Sequence, residues 1–210
     1  MKHLVISTLA VLAFAGATQA ATINGAASGL TGADRTLTFS EVSLSTKDSV
    51  TDQFATYGVT FSPNLVYYGN VQDYPNFTDP ALGNFALDGS NPPVPSAPID
   101  PFVINFTSDV TAASFAMASN PTTTTFTAFL DGEVVESFSA GTDSGSANNF
   151  FGFTGTLFDQ IRVDTGNRYA FIDNLAFAAA PVSAVPLPAG LPLLLGALGG
   201  FAMLRRRQNV

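Results

Sequence analysis

The chain of 210 residues contains no cysteine and no tryptophan, and its single histidine is His3. Without cysteine there are no disulfides, so stability must come from burial or from a bound metal. The lack of cysteine and of histidine beyond His3 also excludes Ser-His-Asp and Cys-His catalysis and the usual zinc sites. A Ser–Lys pair at Lys47 and a carboxylate-pair glycosidase stay open. Carboxylates scattered through turns are usually solvated, so we predict that the protein is not an enzyme.

Basic residues are scarce and lie mostly at the two ends of the chain. Lys2, Arg205, Arg206 and Arg207 are four of the eight lysines and arginines, whereas all sixteen acidic residues lie within residues 34–173. Residues 21–184, called the body below, therefore carry four positive and sixteen negative charges, a net −12. Such a charge excludes nucleic acid and anionic lipid as partners, and it permits divalent cations.

The C-terminal end combines an uncharged apolar run with a basic cluster. Residues 187–204 contain no charged side chain, and Arg205, Arg206 and Arg207 follow directly. A helix of roughly 17–25 apolar residues crosses a bilayer core. Each arginine costs about 2.5–3.5 kcal/mol at the bilayer centre, so the cluster is expected to stay on the cytoplasmic side. The pattern predicts a single C-terminal transmembrane helix.

A short motif precedes this run. The residues Val185, Pro186, Leu187, Pro188 and Ala189, followed by the apolar run and the arginines, resemble the PEP-CTERM sorting tails, in particular the VPLPA variant. The resemblance implies a sorting tail over residues 185–210 that is processed by an exosortase. It implies an exported, non-enzymatic cell-surface or extracellular-matrix protein. An ordinary single-pass tail anchor is the alternative.

The N-terminal end has the layout of a secretory signal peptide. Lys2 and His3 precede an apolar run over residues 4–17, and small residues stand before a cleavage site between Ala20 and Ala21. We predict a signal helix over residues 1–20, with signal peptidase and the secretion machinery as partners; a retained N-terminal anchor is the alternative. The protein would span the membrane transiently through its tail and then reach the envelope or the extracellular space.

The region between the two ends reads as short strands separated by turn residues. The predicted order is a loose lead-in over 21–35, a β domain over 36–178 and a linker over 179–184. Asp131-Gly132 is a strong signal for a two-residue hairpin, and residues 69–101 read as a long loop with one short strand at 84–88. About ten strands predict an all-β fold, a two-sheet antiparallel jelly-roll sandwich.

Three stretches of the body support that architecture. Residues 50–55 (Val-Thr-Asp-Gln-Phe-Ala), 58–61 (Gly-Val-Thr-Phe) and 171–175 (Phe-Ile-Asp-Asn-Leu) resemble the exported jelly-roll bodies that often precede such tails. Those bodies are similar in fold to carbohydrate-binding modules. The resemblance therefore implies an alternative function, a carbohydrate-binding module for extracellular polysaccharide.

Two carboxylates fall in line with apolar residues in the predicted first and last strands. Period-two alternation places Glu41 beside Leu37 and Phe39, and Asp173 beside Phe171, Leu175 and Phe177. A buried, unpaired charge is costly, so these carboxylates predict a structural calcium, with Asp48 as a third ligand. The alternatives are that Ile172 marks the inner face and Asp173 is solvated, or that Arg162 or Arg168 pairs with Asp173.

A cluster of aromatic and polar residues lies in and beside the long loop. Sugar rings stack on aromatic side chains, and carboxylate and amide groups bind their hydroxyls. The predicted glycan contacts are Tyr67, Tyr68, Asp73, Tyr74, Asn76 and Phe77. The alternative is that these rings pack the loop onto the sheet.

Overall fold

The computed structural model describes residues 21–71, 73–90 and 94–181. The chain divides into two units, Met1–Ala180 and Pro181–Val210. The predicted signal peptide at 1–20 and sorting tail at 185–210 lie outside the described residues. Within those described residues, no helix is both long enough and apolar enough to cross a membrane.

The described chain is all-β and antiparallel, which confirms the predicted class. Eleven strands form one large sheet, and β7 pairs with β8 in a small second sheet, an arrangement compatible with a sandwich. One turn of 3-10 helix, Ala55–Tyr57, precedes β4. The strands are β1 Ala21–Ala26, β2 Arg35–Leu37, β3 Ser49–Val50, β4 Val59–Ser62, β5 Leu65–Tyr68, β6 Ala81–Gly83, β7 Phe85–Leu87, β8 Pro95–Pro98, β9 Phe102–Ser119, β10 Thr122–Leu130, β11 Glu133–Thr142, β12 Phe150–Asp164 and β13 Ala170–Ala179.

Two long strands, β9 and β12, form the centre of the large sheet. They pair with each other, β9 also pairs with β4 and β13, and β12 also pairs with β1 and β10. The polar residues 107–109 are exposed and interrupt the apolar alternation of β9. The register of β9 with β12 shifts at this point, between Val110 and Asn105, and the pairing resumes on either side.

The core lies on both faces of the large sheet. The main core contains the fully buried rings Phe39, Phe54, Phe102, Phe115, Phe126, Phe153 and Phe158. A second cluster, on the other face, is built from Val71, Phe77, Ala81, Ala116, Ala118 and Phe150. Each fully buried large apolar side chain contributes roughly 1.5–3 kcal/mol, so burial offsets the lack of disulfides. Both clusters lie within residues 37–177, so the body keeps its whole described core without the tail.

The hairpin predicted at Asp131-Gly132 is confirmed. These residues join β10 to β11, with φ values of 52° and 85°. Positive φ at both central positions matches the twist of the flanking strands in a two-residue turn.

The N-terminal part of the body differs from the prediction at two places. Ala21–Ala26, within the predicted lead-in, forms β1 and pairs with β12. The strand predicted at 37–41 ends at Leu37, because Phe39 adopts a φ of 61° and the Glu41 side chain accepts the Thr38 main-chain N–H. Glu41 therefore lies in a turn rather than on a strand.

The long proline-rich segment also contains more strand than predicted. The short strand expected at 84–88 is present as β7, and β6 and β8 lie in the same segment. Pro95 and Pro98 bound β8, which pairs with one neighbour only, and prolines are tolerated on such edge strands.

Candidate functional site

Strand β13 contains a bulge that decides where its side chains point. Its register with β9 shifts between Asp173 and Ala176, and Asn174 adopts a left-handed φ of 51°. A bulge inserts one residue and reverses the alternation of faces beyond it. Ile172 and Leu175, three positions apart, consequently both pack in the main core.

The predicted common face of Phe171, Asp173, Leu175 and Phe177 is therefore wrong. Leu175 and Phe177 pack in the main core, whereas Phe171 packs against the second cluster. Asp173 pairs directly with Ala116, which belongs to the second cluster, so it lies on the same face as Phe171.

Asp173 is nevertheless completely buried, with 0% of its surface exposed. Its Oδ2 accepts the Thr78 N–H at 2.6 Å and the Thr78 hydroxyl at 3.2 Å, and its Oδ1 accepts the Asn174 N–H at 2.6 Å. Ile172 does mark the main-core face, but the segment carrying Thr78 covers Asp173. Arg162 forms its ion pair with Asp164, and neither Arg162 nor Arg168 pairs with Asp173.

Glu41 lies close enough to influence this carboxylate. Its Oε1 accepts the Thr38 N–H at 2.9 Å, and its Oε2 is buried without a hydrogen-bond partner among the described residues. Burial, foremost, and the charge of Glu41 raise the pKa of Asp173 to about 7, against hydrogen bonds from Thr78 and Asn174 that lower it. Asp173 is thus a buried carboxylate within electrostatic range of the partly buried Glu41, and no positive side chain among the described residues pairs with it.

Asp48, the third predicted calcium ligand, has a different environment. It is exposed, and its Oδ2 accepts the Ser45 N–H at 2.7 Å. The described residues contain no group of three or more His, Cys, Asp or Glu side chains arranged to hold a metal. The charge of Glu41 acts on Asp173, whereas Asp48 hydrogen-bonds within its own turn, and calcium binding stays a prediction.

A second candidate site is an open groove on the face of the second cluster. We call it the aromatic groove, and its rings are Tyr68, Tyr74, Phe85, Tyr169 and Phe171. The ring centroids of Tyr68 and Phe171 lie 5.6 Å apart, as do those of Phe85 and Phe171. Two adjoining cavities of about 310 and 350 Å³ share Tyr68 and Phe171.

Three of the six predicted glycan contacts line this groove, namely Tyr68, Asp73 and Tyr74. The other three do not. Tyr67 packs against the main core on the opposite face of β5, Phe77 is buried in the second cluster, and the Asn76 amide donates to the main-chain oxygen of Ala147 at 2.8 Å. Tyr67 and Phe77 therefore pack onto the sheet, which is the alternative stated for the rings of this cluster.

The sequence reasoning missed Phe85, Tyr169 and Phe171. Phe85 lies within the predicted long loop, on β7, whereas Tyr169 and Phe171 lie just before and at the start of β13. The pairing of β6 with both β5 and β13 brings these rings to Tyr68. The spacing of Tyr169 and Phe171 by two residues was the available signal, because such residues share one face of a strand.

Polar groups surround the rings of the groove. Asn70 and Asp73 line one end, and Ser119, Asn120 and Ser144 lie beside Tyr74 and Tyr169 at the other. The hydroxyls of the three groove tyrosines form no hydrogen bond with any described residue. The partly exposed faces of Tyr68, Tyr74, Tyr169 and Phe171, together with the polar rim, suit a ligand that has both apolar faces and hydroxyl groups.

No family model matches the chain, and no curated protein matches it either.

Proposed function

We propose that this protein is an exported, non-enzymatic cell-surface or extracellular-matrix protein whose C-terminal tail is processed by an exosortase. The supporting observation is the order of the C-terminal elements: the motif at 185–189, the uncharged run at 187–204, and Arg205, Arg206 and Arg207. The signal-type segment at 1–20 agrees with export. In this proposal the all-β body is a two-sheet jelly-roll sandwich that the tail delivers to the envelope or beyond.

The buried carboxylates support a non-catalytic role for the body. Glycosidases need two carboxyl groups that flank a substrate. Asp173 has no exposed surface, and both of its oxygens accept main-chain N–H groups. A substrate has no access to Asp173 in the folded body, so this carboxylate does not support the glycosidase hypothesis.

Processing of both ends is the first expected result. In the native host, the intact mass of the mature protein should correspond to a chain that begins at Ala21 and lacks Arg205, Arg206 and Arg207. Replacing Pro186 and Pro188 together with alanine should cause the unprocessed form to accumulate, because the prolines keep the motif extended and accessible.

A matched control for this experiment is Pro181→Ala, which removes a proline outside the motif and should leave processing unchanged. A mature mass that retains the apolar run and all three arginines would replace the sorting proposal with a simple membrane anchor. Normal processing of the Pro186/Pro188 double variant would show that these two prolines of the motif are not needed for processing.

The aromatic groove favours a second candidate function, a carbohydrate-binding module for extracellular polysaccharide. Its partly exposed rings offer stacking surfaces, and its rim offers amide, hydroxyl and carboxylate groups. The body charge of −12 favours neutral sugars over anionic ones. In this proposal the groove holds the sugar, and the tail determines where the module acts.

Tyr74→Ala should weaken glycan binding about tenfold, or ~1.4 kcal/mol, because it removes one stacking ring from the groove. The body is first screened on an array of neutral and acidic glycans, and the affinity for the best ligand is then measured by calorimetry. Val134→Ala is the control, since Val134 is an exposed apolar residue on β11, outside the groove.

Failure of the body to bind any glycan on the array would leave the groove without this function. Equal affinities of the Tyr74→Ala and Val134→Ala variants would place the binding elsewhere. Neither outcome affects the processing experiment, so the two candidate functions can be tested separately.

A further inference from the structure

Strand β1 lies at an edge of the large sheet. Among the described strands it pairs with β12 alone. The outer side of an edge strand presents a row of main-chain N–H and C=O groups that can pair with a strand of another chain. Ala21, Thr22 and Asn24 are exposed, so a second strand has access to this edge.

The composition of β1 sets it apart from the other long edge strand. In the described part of the chain, two strands of more than four residues pair with a single neighbour, namely β1 and β11. β11 carries Glu133 and Glu136, and charged side chains protect natural edges from pairing with other copies. β1 has neither a charge nor a proline, and residues 21–33 contain no charged side chain in a body of net charge −12. Two copies can therefore bring their β1 edges together without contact between acidic side chains.

We propose that β1 pairs with β1 of a second copy of this chain, antiparallel and across a two-fold axis, so that the sheets of two bodies join. The strand bulges between Asn24 and Ala26, which limits regular pairing to residues 21–24. An axis at Ile23 places the two Ile23 side chains directly opposite each other and Thr22 opposite Asn24 of the other copy. Directly opposite residues share a face, and pairs of β-branched side chains stabilise such contacts.

The surroundings of Ile23 favour this register. Ile23 is partly buried, packs against the second cluster and lies opposite Gly152 of β12, which has no side chain to cover it. The Ile23 side chain of a second copy would cover part of the apolar surface that remains exposed. The proposal rests on the proposed export only in that the mature chain begins at Ala21. The α-ammonium group at Ala21 would lie opposite Gly25 of the other copy, away from its own counterpart.

The contact is small, so the association is expected to be weak and reversible. Stable interfaces bury more than about 1,000 Å² and need more than four paired residues on each side. We expect a dimer Kd of about 0.1–1 mM in solution. Copies concentrated on a cell surface or in a matrix would pair more extensively, because their effective concentration is higher.

Disulfide cross-linking tests this pairing directly. The body keeps its described core without the tail and contains no cysteine, so one introduced thiol reports one contact. Directly opposite strand residues lie within reach of a disulfide. With oxidised glutathione, the Ile23→Cys body should form a covalent dimer at least about fivefold faster than the Val134→Cys body. Val134 is 60% exposed on β11, whereas Ile23 is partly buried, so random collision would favour the control.

A second pair of variants changes the charge of the edge. Thr22→Glu/Asn24→Glu, added to Ile23→Cys, should slow the cross-linking about tenfold, because glutamates would then lie opposite each other across the axis. Thr107→Glu/Ser108→Glu adds the same charge at exposed positions of β9 and should leave the rate unchanged. Sedimentation at about 1 mM repeats the comparison without cysteine, with a dimer expected for the wild-type body and a monomer for Thr22→Glu/Asn24→Glu.

Two results would overturn the proposal. The first is cross-linking of the Ile23→Cys body that is no faster than that of the Val134→Cys body, which would indicate random collision. The second is a rate that Thr22→Glu/Asn24→Glu does not lower, or a wild-type body that sediments as a monomer at the highest concentration. Neither result affects the tail-processing or glycan-binding experiments, so the proposal can fail while the proposed functions stand.

Discussion

Replacing Gly152 with alanine is expected to destabilise the body by about 3 kcal/mol or more, enough to remove much of the stability of a typical domain. Gly152 lies in β12 between Ser114 of β9 and Ile23 of β1. A Cβ at this position would lie 2.0 Å from the main-chain oxygen of Ala113 and 2.7 Å from the Cα of Ser114. Both atoms belong to the backbone, so no side-chain rotation relieves the clash, and the central strands must separate.

Gly141→Ala is the matched control, because Gly141 also lies in a strand but has open space around the added Cβ. We expect its free energy of unfolding to stay within about 0.5 kcal/mol of the wild type. Urea denaturation of both variants in the body measures the difference. Similar unfolding free energies for the two variants would show that β12 and β9 can move apart at little cost.

Short sequence patterns were sufficient to predict the all-β class and the hairpin at Asp131-Gly132. Asp131-Gly132 adopts the positive φ values that its residue types favour, and β4 and β5 lie where β-branched and aromatic residues alternate. These features depend only on residues that are adjacent in sequence, so they can be predicted from a single sequence.

The bulge in β13 could not be predicted in this way. The alternation of apolar residues changes parity at Asn174, and only the pairing with β9 shows where the extra residue lies. The same limit applied to the turn at Phe39, a bulky residue with a φ of 61° that is held by its tertiary contacts. As a result, the sequence placed Glu41 on a strand and Asp173 on a common face with Leu175 and Phe177, and the structure corrects both placements.

The aromatic groove shows the limit for residues distant in sequence. Tyr68 and Tyr74 belong to one segment and were predicted together, whereas Phe85, Tyr169 and Phe171 come from other strands. Tyr67 and Tyr68 are adjacent and were predicted to act alike, yet β5 places them on opposite faces. A segment rich in aromatic and polar residues therefore indicates where a site lies. The pairing of strands decides which of those residues line it.

In the presence of EDTA, the stability of the body is expected to fall as pH rises from about 4 to about 7. The pKa of Asp173 is raised from 3.8 to about 7 in the folded protein, chiefly by burial. Between these values the folded state holds a proton that the unfolded state has released, so raising the pH favours unfolding. Three pKa units correspond to a loss on the order of 4 kcal/mol, of which about 2 kcal/mol falls between pH 5.5 and 7.5.

Between pH 5.5 and 7.5, the titration of Asp173 can be distinguished from that of the other carboxylates. Ordinary aspartates and glutamates titrate near pH 4, and hydrogen bonds from Ser90 and Val94 lower the pKa of Asp88 to about 2. The expected slope between pH 5.5 and 7.5 therefore belongs to Asp173, and Asp173→Asn should abolish it, even though the amide costs one of the hydrogen bonds to Thr78 or Asn174. Urea denaturation across this pH range measures the slope directly. A variant with the wild-type slope, or a wild-type protein that gains stability as the pH rises, would show that Asp173 is ionised throughout and that burial does not hold its proton.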